Sequence, residues 1–501
     1  MAKPLDLRLK LTLEEMALRR VVVNLWNETD ILSSLGQLQF QSLPENQRLR
    51  EYRMAVNDKI KEKISKFVLP ESLKKRMMDT VKPISWNLLS WEIIHKNILN
   101  WSNGSLRMPV LEQLSWTSVG TVDHRKTAEK LIHLYIIDDF IRYKLACLHC
   151  LVDHIPRLFD ELAEHYKTYY VSKFPFSQIK MEMDFYWAFM LNGKEADLKR
   201  IAAADLPPDI SFNQHAFALS AIYGNKGAAE YFFTQQTADE RYTFLYKLAE
   251  TIILNRSGRS PKWPCDIPTE KISEILCYLL SLMNPEQQMQ ALKNKPCDMF
   301  VCFLDWPWQD VALRIADLIW TFLPESEYCY LLERMNENTA RTGYYLPDFY
   351  QKFFLDSPSE FKVHFINHEC LHCSFFPKFL EAEDIETIRI ILRNIDVKDK
   401  MKLGSCYNFF RLLDSLLMTD KSHLVKMCLG GVAPSKEDKD ILKKTYMKFV
   451  TRTDRRRLKQ RKCTWNQLFR DIDKTNESTS GKGSSNGKTL TKAKRHRRRR
   501  K

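Results

Sequence analysis

Leucines occupy every second position from Leu5 to Leu13, with Asp6, Arg8, Lys10 and Thr12 between them. Period two over five apolar positions predicts a short strand or an extended arm laid on a partner. At Thr12 the period changes. Thr12 and Glu15 form a capping-box pair, and Leu13, Met16, Ala17, Val21 and Leu25 follow at helical spacing, which predicts a helix to about Asn27. Leu43-Pro44 and Leu69-Pro70 mark two further helix starts, because proline suits the first helical turn.

From about Thr121 the pattern is one amphipathic helix after another. The spacing predicts helices over Lys126–Leu134, Asp138–Cys150, His154–Tyr166, Phe185–Leu191, Ala196–Ala203, His215–Tyr223 and Lys226–Phe233. Arg241–Leu254, Lys271–Met283, Val311–Leu323 and Ile385–Asn394 continue the style, with breaks at Pro207-Pro208, Pro261, Pro264, Pro307, Pro324 and Pro434. Glycine is scarce, 14 in 501 residues against about 35 at average usage. Folds that rely on tight turns and phosphate loops are thereby disfavoured, and an all-α chain is expected.

Some helices recur as pairs. Phe217–Asn225, ending in Ala221, Gly224 and Asn225, is followed by the aliphatic and aromatic face of Ala228–Phe233. This resembles the ankyrin repeat, in which a small residue precedes a Gly-Asn turn between two helices. Weaker echoes lie at Gly193 with Leu198–Ile201, Asp384 with Ile388–Leu392, and Asp420 with Leu424–Leu429. The spacings of 31 (Leu198 to Ala229) and 37 (Ile388 to Val425) bracket the ankyrin period of about 33. The Thr-Pro-Leu-His turn signature of that family is missing. The resemblance implies helical hairpins stacked as an irregular ankyrin-like solenoid, with an irregular helical bundle as the alternative. The expected division is an N-terminal helical segment (1–80), a helical domain (81–184), degenerate repeats (185–450) and a basic, largely disordered tail (451–501).

A second resemblance lies at the N-terminus. Thr12-Leu13, Ala17 and Val21, with Leu43-Pro44 beyond, resemble the box by which substrate receptors of cullin ubiquitin ligases grip elongin B/C. In that family a leucine and a small residue four positions later, commonly cysteine, enter a groove of the partner. It implies Leu13, Ala17 and Val21 as elongin-binding positions; a core helix is the alternative.

Charge separates body from tail. Residues 1–451 carry 58 basic and 58 acidic side chains, whereas 452–501 carry 19 Lys/Arg against four acids, which is the whole net charge of +15. The last eight residues include Lys494, Arg495, Arg497, Arg498, Arg499, Arg500 and Lys501, and read as a nuclear-import signal. RNA, DNA or anionic lipid would accept the same charges. A nuclear protein, with shuttling to the cytoplasm as a variant of that reading, is the expectation that follows.

Candidate chemistry is sparse. Gly481–Thr489 imitates a phosphate loop but carries Lys482 where glycine is needed and follows no strand pattern. Cys-Leu-His-Cys occurs twice, at Cys147/Cys150 and Cys370/Cys373. One pair supplies two of the four ligands that zinc requires, so buried thiols are the better reading, with Cys370, Cys373 and His368 the remaining metal candidates. No nucleophile elbow, zincin helix or kinase motif set occurs. The expected function is a non-enzymatic, cofactor-free interaction scaffold. The alternatives are an elongin/cullin substrate receptor and an RNA- or chromatin-binding protein acting through the tail. No run of about 18 apolar residues predicts a membrane span.

Overall fold

Side-chain caps set where many helices begin in the computed structural model, which describes residues 4–36, 45–99, 107–172, 176–177, 180–198, 200, 210–256, 269–367, 379–380, 383–433, 435–452 and 458–480. Thr12 with Glu15, Ser211 with Gln214 and Asn284 with Gln287 form capping boxes that open helices Leu13–Trp26, Phe212–Ile222 and Pro285–Asn294. Each box satisfies two backbone donors that the helix itself leaves unpaired. Asp123, Asp138, Asn225 and Asp384 cap four more helices through a single carboxylate or amide oxygen. The described residues are predominantly α-helical. Their one β-ladder pairs Phe176–Ser177 with Lys180–Met181.

The chain divides into two compact units, Met1–Asp356 and Ser357–Lys501. In the first unit, helices Glu45–Ser65 and Glu71–Leu99 form a long hairpin, and the second of these continues through Pro83. A short helix, Thr29–Gly36, precedes that hairpin and buries Ile31, Leu32 and Leu35. The segment expected as one helix over His154–Tyr166 is two, Ile155–Asp160 and Glu164–Ser172. Ala196–Ala203 falls partly outside the described residues.

Buried charges tie the first unit together. Glu92 and Arg107, each nearly inaccessible, pair at 2.9 Å. Asp305, also buried, accepts from Arg256 at 2.8 Å and from Arg341, joining helices Ala238–Arg256 and Glu327–Thr342. Such pairs contribute little net stability when intact, but losing one partner strands a charge and costs about 3–5 kcal/mol.

Helices Phe212–Ile222 and Lys226–Thr234 form a tight hairpin. Gly224 turns the chain at φ +68°, a conformation that side-chain-bearing residues rarely adopt. Ala221 is buried, and the Asn225 side chain both caps the second helix and donates to Leu148 O at 2.8 Å. Gly224 and Asn225 lie at the turn between the two helices, and Ala221 lies in the first of them.

In the second unit, helices Ile385–Arg393, Val397–Gly404, Tyr407–Met418, Ser422–Val432, Lys436–Arg452 and Leu458–Ser480 surround Phe410, Tyr446, Trp465 and Phe469. Close approach is built in at Gly431, where a Cβ would lie 2.5 Å from Leu392 Cδ1. Trp465 has no exposed surface and donates from Nε1 to Asp414 Oδ1 at 2.9 Å. This corrects the expected boundary of the tail. Residues 458–480 are an integral helix, because Trp465, Leu468 and Phe469 recur at i, i+3 and i+4 and bury together.

Candidate interaction site

The leucine-rich N-terminus is an extended arm laid on its own chain, with no strand pairing. Leu5, Leu7, Leu9 and Leu11 are half-buried while Arg8 and Lys10 face solvent, as period two requires. Its backbone is bound by side chains of distant helices. Gln288 accepts from Leu5 N at 2.7 Å, and Arg314 donates to the carbonyls of Asp6 and Arg8 at 3.0 and 2.6 Å. The partner onto which the arm was expected to fold is the protein itself.

Helix Leu13–Trp26 follows directly. Its inner face buries Val22, Val23, Leu25 and Trp26. Glu14 pairs with Arg76, while Arg19 donates to Val119 O at 3.1 Å and lies 5.0 Å over the Trp306 ring. These contacts fix the helix in rotation as well as position. Leu13 is 82% exposed, Ala17 is exposed, and Val21 is 38% exposed. Spaced at four residues, they form one outward stripe. The core is served by the other face of this helix. Leu43-Pro44 lies outside the described residues.

Elsewhere in the first unit a cavity of about 680 Å³ opens among elements remote in sequence. Leu9 of the arm, the 117–125 segment, the Tyr223–Gly227 turn and helix Thr269–Leu282 line it. A Cβ at Gly227 would stand 3.2 Å from His149 O, a tight contact that a side chain there would relieve only by a small shift. Charges in the lining balance, with Arg125, Lys226 and Lys271 against Asp123, Glu230 and Glu274. Burial pushes the Glu274 carboxyl up, but Lys271 at 3.0 Å and Lys226 at 3.7 Å outweigh it and hold it below the usual range.

Three imidazoles meet at one side of the cavity, His124 and His149 in its lining and His95 buried against His149. The rings of His95 and His149 stack at 5.1 Å, and that of His124 lies 5.5 Å from His95. His95 Nδ1 is 2.8 Å from Trp91 O, and its Nε2 is 2.9 Å from His149 Nε2. A carbonyl can only accept, so His95 carries its proton on Nδ1 and accepts from His149 through Nε2. Burial and the Lys271 ammonium push His95 down to about 4, and burial also drives His124 and His149 well below the ordinary imidazole value. Neutral rings with so little basicity serve as hydrogen-bonding groups rather than proton acceptors near neutrality. The nearby Cys277 thiol is held protonated, its pKa raised by burial.

Among the described residues no three His, Cys, Asp or Glu side chains are set to hold a metal ion. Cys147 and Cys150 are buried thiols raised by desolvation, Cys150 to about 12, in keeping with their reading as core residues. Cys370, Cys373 and His368 lie outside the described residues, as do Lys494, Arg495, Arg497–Arg500 and Lys501 of the expected import signal. The structure brings Gly224 and Asn225 to the cavity rim, and keeps Ala221 in the hairpin core. It sets His95, His124 and His149 together from positions 29 and 25 residues apart, with no local spacing to announce them. No helix among the described residues is long and apolar enough to cross a membrane. Compared with known proteins, the sequence matches no family model, and no curated protein matches it.

Proposed function

We propose that this protein is a nuclear helical adaptor that engages a protein partner through the outward face of helix Leu13–Trp26, in the manner of elongin-binding substrate receptors. One observation carries the reading: Leu13, Ala17 and Val21 all face solvent, while ion pairs and core packing hold the helix still. A partner groove would therefore meet a preformed apolar stripe and would have no helix to order. The small Ala17 leaves room for close approach between flanking larger side chains. The ankyrin-like hairpins would supply the surface that selects a target, and the terminal Lys/Arg cluster would supply nuclear entry.

The test is a titration of the full-length protein with purified elongin B/C, followed by calorimetry and size exclusion. A saturable complex should form. Leu13→Asp should weaken it by at least thirtyfold, the size of a lost hot-spot side chain of about 2 kcal/mol. Because Leu13 is exposed, the variant's melting temperature should stay within about 1 °C of wild type. Separate elution at tens of micromolar, or equal binding by Leu13→Asp, refutes the proposal.

A further inference from the structure

We infer that the cavity of the first unit binds an uncharged, polyhydroxylated small molecule, a sugar ring taken either free or as the ribose of a nucleoside. The inference is independent of the adaptor reading, which uses the outward face of helix Leu13–Trp26.

Every charged side chain in the cavity lining already has a partner. Lys271 lies 3.0 Å from Glu274, and Lys226 lies 3.7 Å from both Glu274 and Glu230. Arg125 pairs with Glu129 at 3.4 Å, and Asp123 caps helix His124–Leu131 while lying 3.6 Å from Lys126. A charged ligand would have to compete with an ammonium or carboxylate already in place. Several neutral polar side chains are engaged too. Thr117 and Thr121 bond each other at 2.8 Å, Ser281 donates to Tyr278 O, Asn87 accepts from Val122 N, and Asn225 caps its helix.

Four neutral side chains in the lining keep polar atoms that no protein group among the described residues meets. His149 uses Nε2 towards His95 and leaves Nδ1, His124 leaves both ring nitrogens, Tyr278 leaves its hydroxyl, and Trp308 leaves its indole N–H. All four side chains retain accessible surface. They arrive from separate places in the chain: the start of helix His124–Leu131, the C-cap of Asp139–Leu148, the middle of Thr269–Leu282 and the N-cap of Gln309–Ile319. Polar atoms set into a protein recess are ordinarily met by water or by a ligand.

The roles of these atoms select the ligand. The proton on His95 Nδ1 fixes His149 Nδ1 as an acceptor, whereas Trp308 can only donate. Tyr278 and a neutral His124 offer both roles. Burial keeps the two lining imidazoles uncharged, so the site does not turn cationic near neutrality. A carboxylate or phosphate can only accept and an ammonium can only donate, while an amide divides the roles between fixed atoms. A hydroxyl does both from one atom, so a ring carrying several meets the whole set. Trp308 and Tyr278 add aromatic surface for the ring's C–H groups. At about 680 Å³ the cavity falls within the usual range of small-molecule sites.

The experiment combines calorimetry and thermal melts of the full-length protein with D-glucose, D-galactose and N-acetyl-D-glucosamine, then with adenosine and uridine. Inorganic phosphate and zinc chloride are the charged controls. At least one hydroxylated ligand should bind saturably with a Kd below about 10 mM and raise the Tm. Binding of hexoses alone marks a free sugar as the ligand, and binding of nucleosides alone marks the ribose. Tyr278→Phe and Trp308→Phe each remove one polar group and keep an aromatic ring, and each should weaken that ligand about three- to tenfold. Neither group has a protein partner, so the Tm of the unliganded variants should stay within about 2 °C of wild type. Three results overturn the inference: no sugar or nucleoside binds, the Tyr278→Phe/Trp308→Phe double variant binds as tightly as wild type, or phosphate or zinc alone binds.

Discussion

Removing the Trp465 ring tests whether the last helix belongs to the body of the protein. The side chain is fully buried, its ring lies against three others, and its N–H is the donor to a buried carboxylate, Asp414. A tryptophan buries some 150–250 Å², about 4–6 kcal/mol at 25 cal/mol per Å² as an upper bound. Measured truncations of this kind cost about 3–5 kcal/mol. Asp414 would keep Arg461 at 3.4 Å but lose its other donor, adding about 1–2 kcal/mol. Trp465→Ala should therefore destabilise the second unit by about 4–6 kcal/mol, comparable to the whole stability of many domains. Trp465→Phe, which keeps most of the ring, should cost only about 1–3 kcal/mol. Urea unfolding of the full-length protein, read by hydrogen exchange at 407–418 and 436–452, separates this unit from the first. Truncation after Ser480 should leave those amides protected, and truncation after Arg457 should expose them. If Trp465→Ala exchanges as slowly as wild type, the helix is a surface appendage and the packing argument fails.

Two further outcomes follow from the first unit. Ala221→Asp should cost about 3–5 kcal/mol, because a buried position between paired helices would receive a larger and unpaired carboxylate; soluble expression with a wild-type melt refutes the hairpin packing. Stability should also fall on acidification: His95 is held near 4 when folded against about 6.5 unfolded, so the unfolded chain takes up the proton first. The contribution is complete above pH 6.5, is lost as pH drops towards 4, and amounts to about 3 kcal/mol. Urea midpoints between pH 7 and 4.5 should fall more steeply for wild type than for His95→Gln, and parallel curves would refute it.

Much of the helical order was legible because caps and proline punctuation coincide with apolar periodicity. Thr12, Asn225 and Asp384 each begin a helix whose apolar face the spacing defines. Other features were hidden for physical reasons. Residues 458–480 are so rich in charge that composition pointed to solvation, while Trp465, Leu468 and Phe469 carried a short apolar stripe that burial made decisive. The arm's leucines showed their period but not their seat, which Gln288 and Arg314 provide from the far end of the unit. The histidine wall left no trace, since nothing local links positions 95, 124 and 149. Gly224-Asn225 was visible as a turn; that the turn lines a cavity depends on Leu148, Lys271 and other distant residues.

The arm has a consequence for how the protein is made. Leu5 and Gln288 are separated by 283 residues, and Arg314 comes later still. At about 5–20 residues per second, a ribosome takes roughly 15 to 60 s to deliver that seat after the arm has emerged. Throughout that interval the nascent chain trails a leucine-studded strand followed by an apolar helical stripe. Any factor that meets the growing polypeptide encounters this stripe before the fold that frames it. The order of synthesis thus exposes the arm to chaperones first, and the arm can seat only after Arg314 has been made.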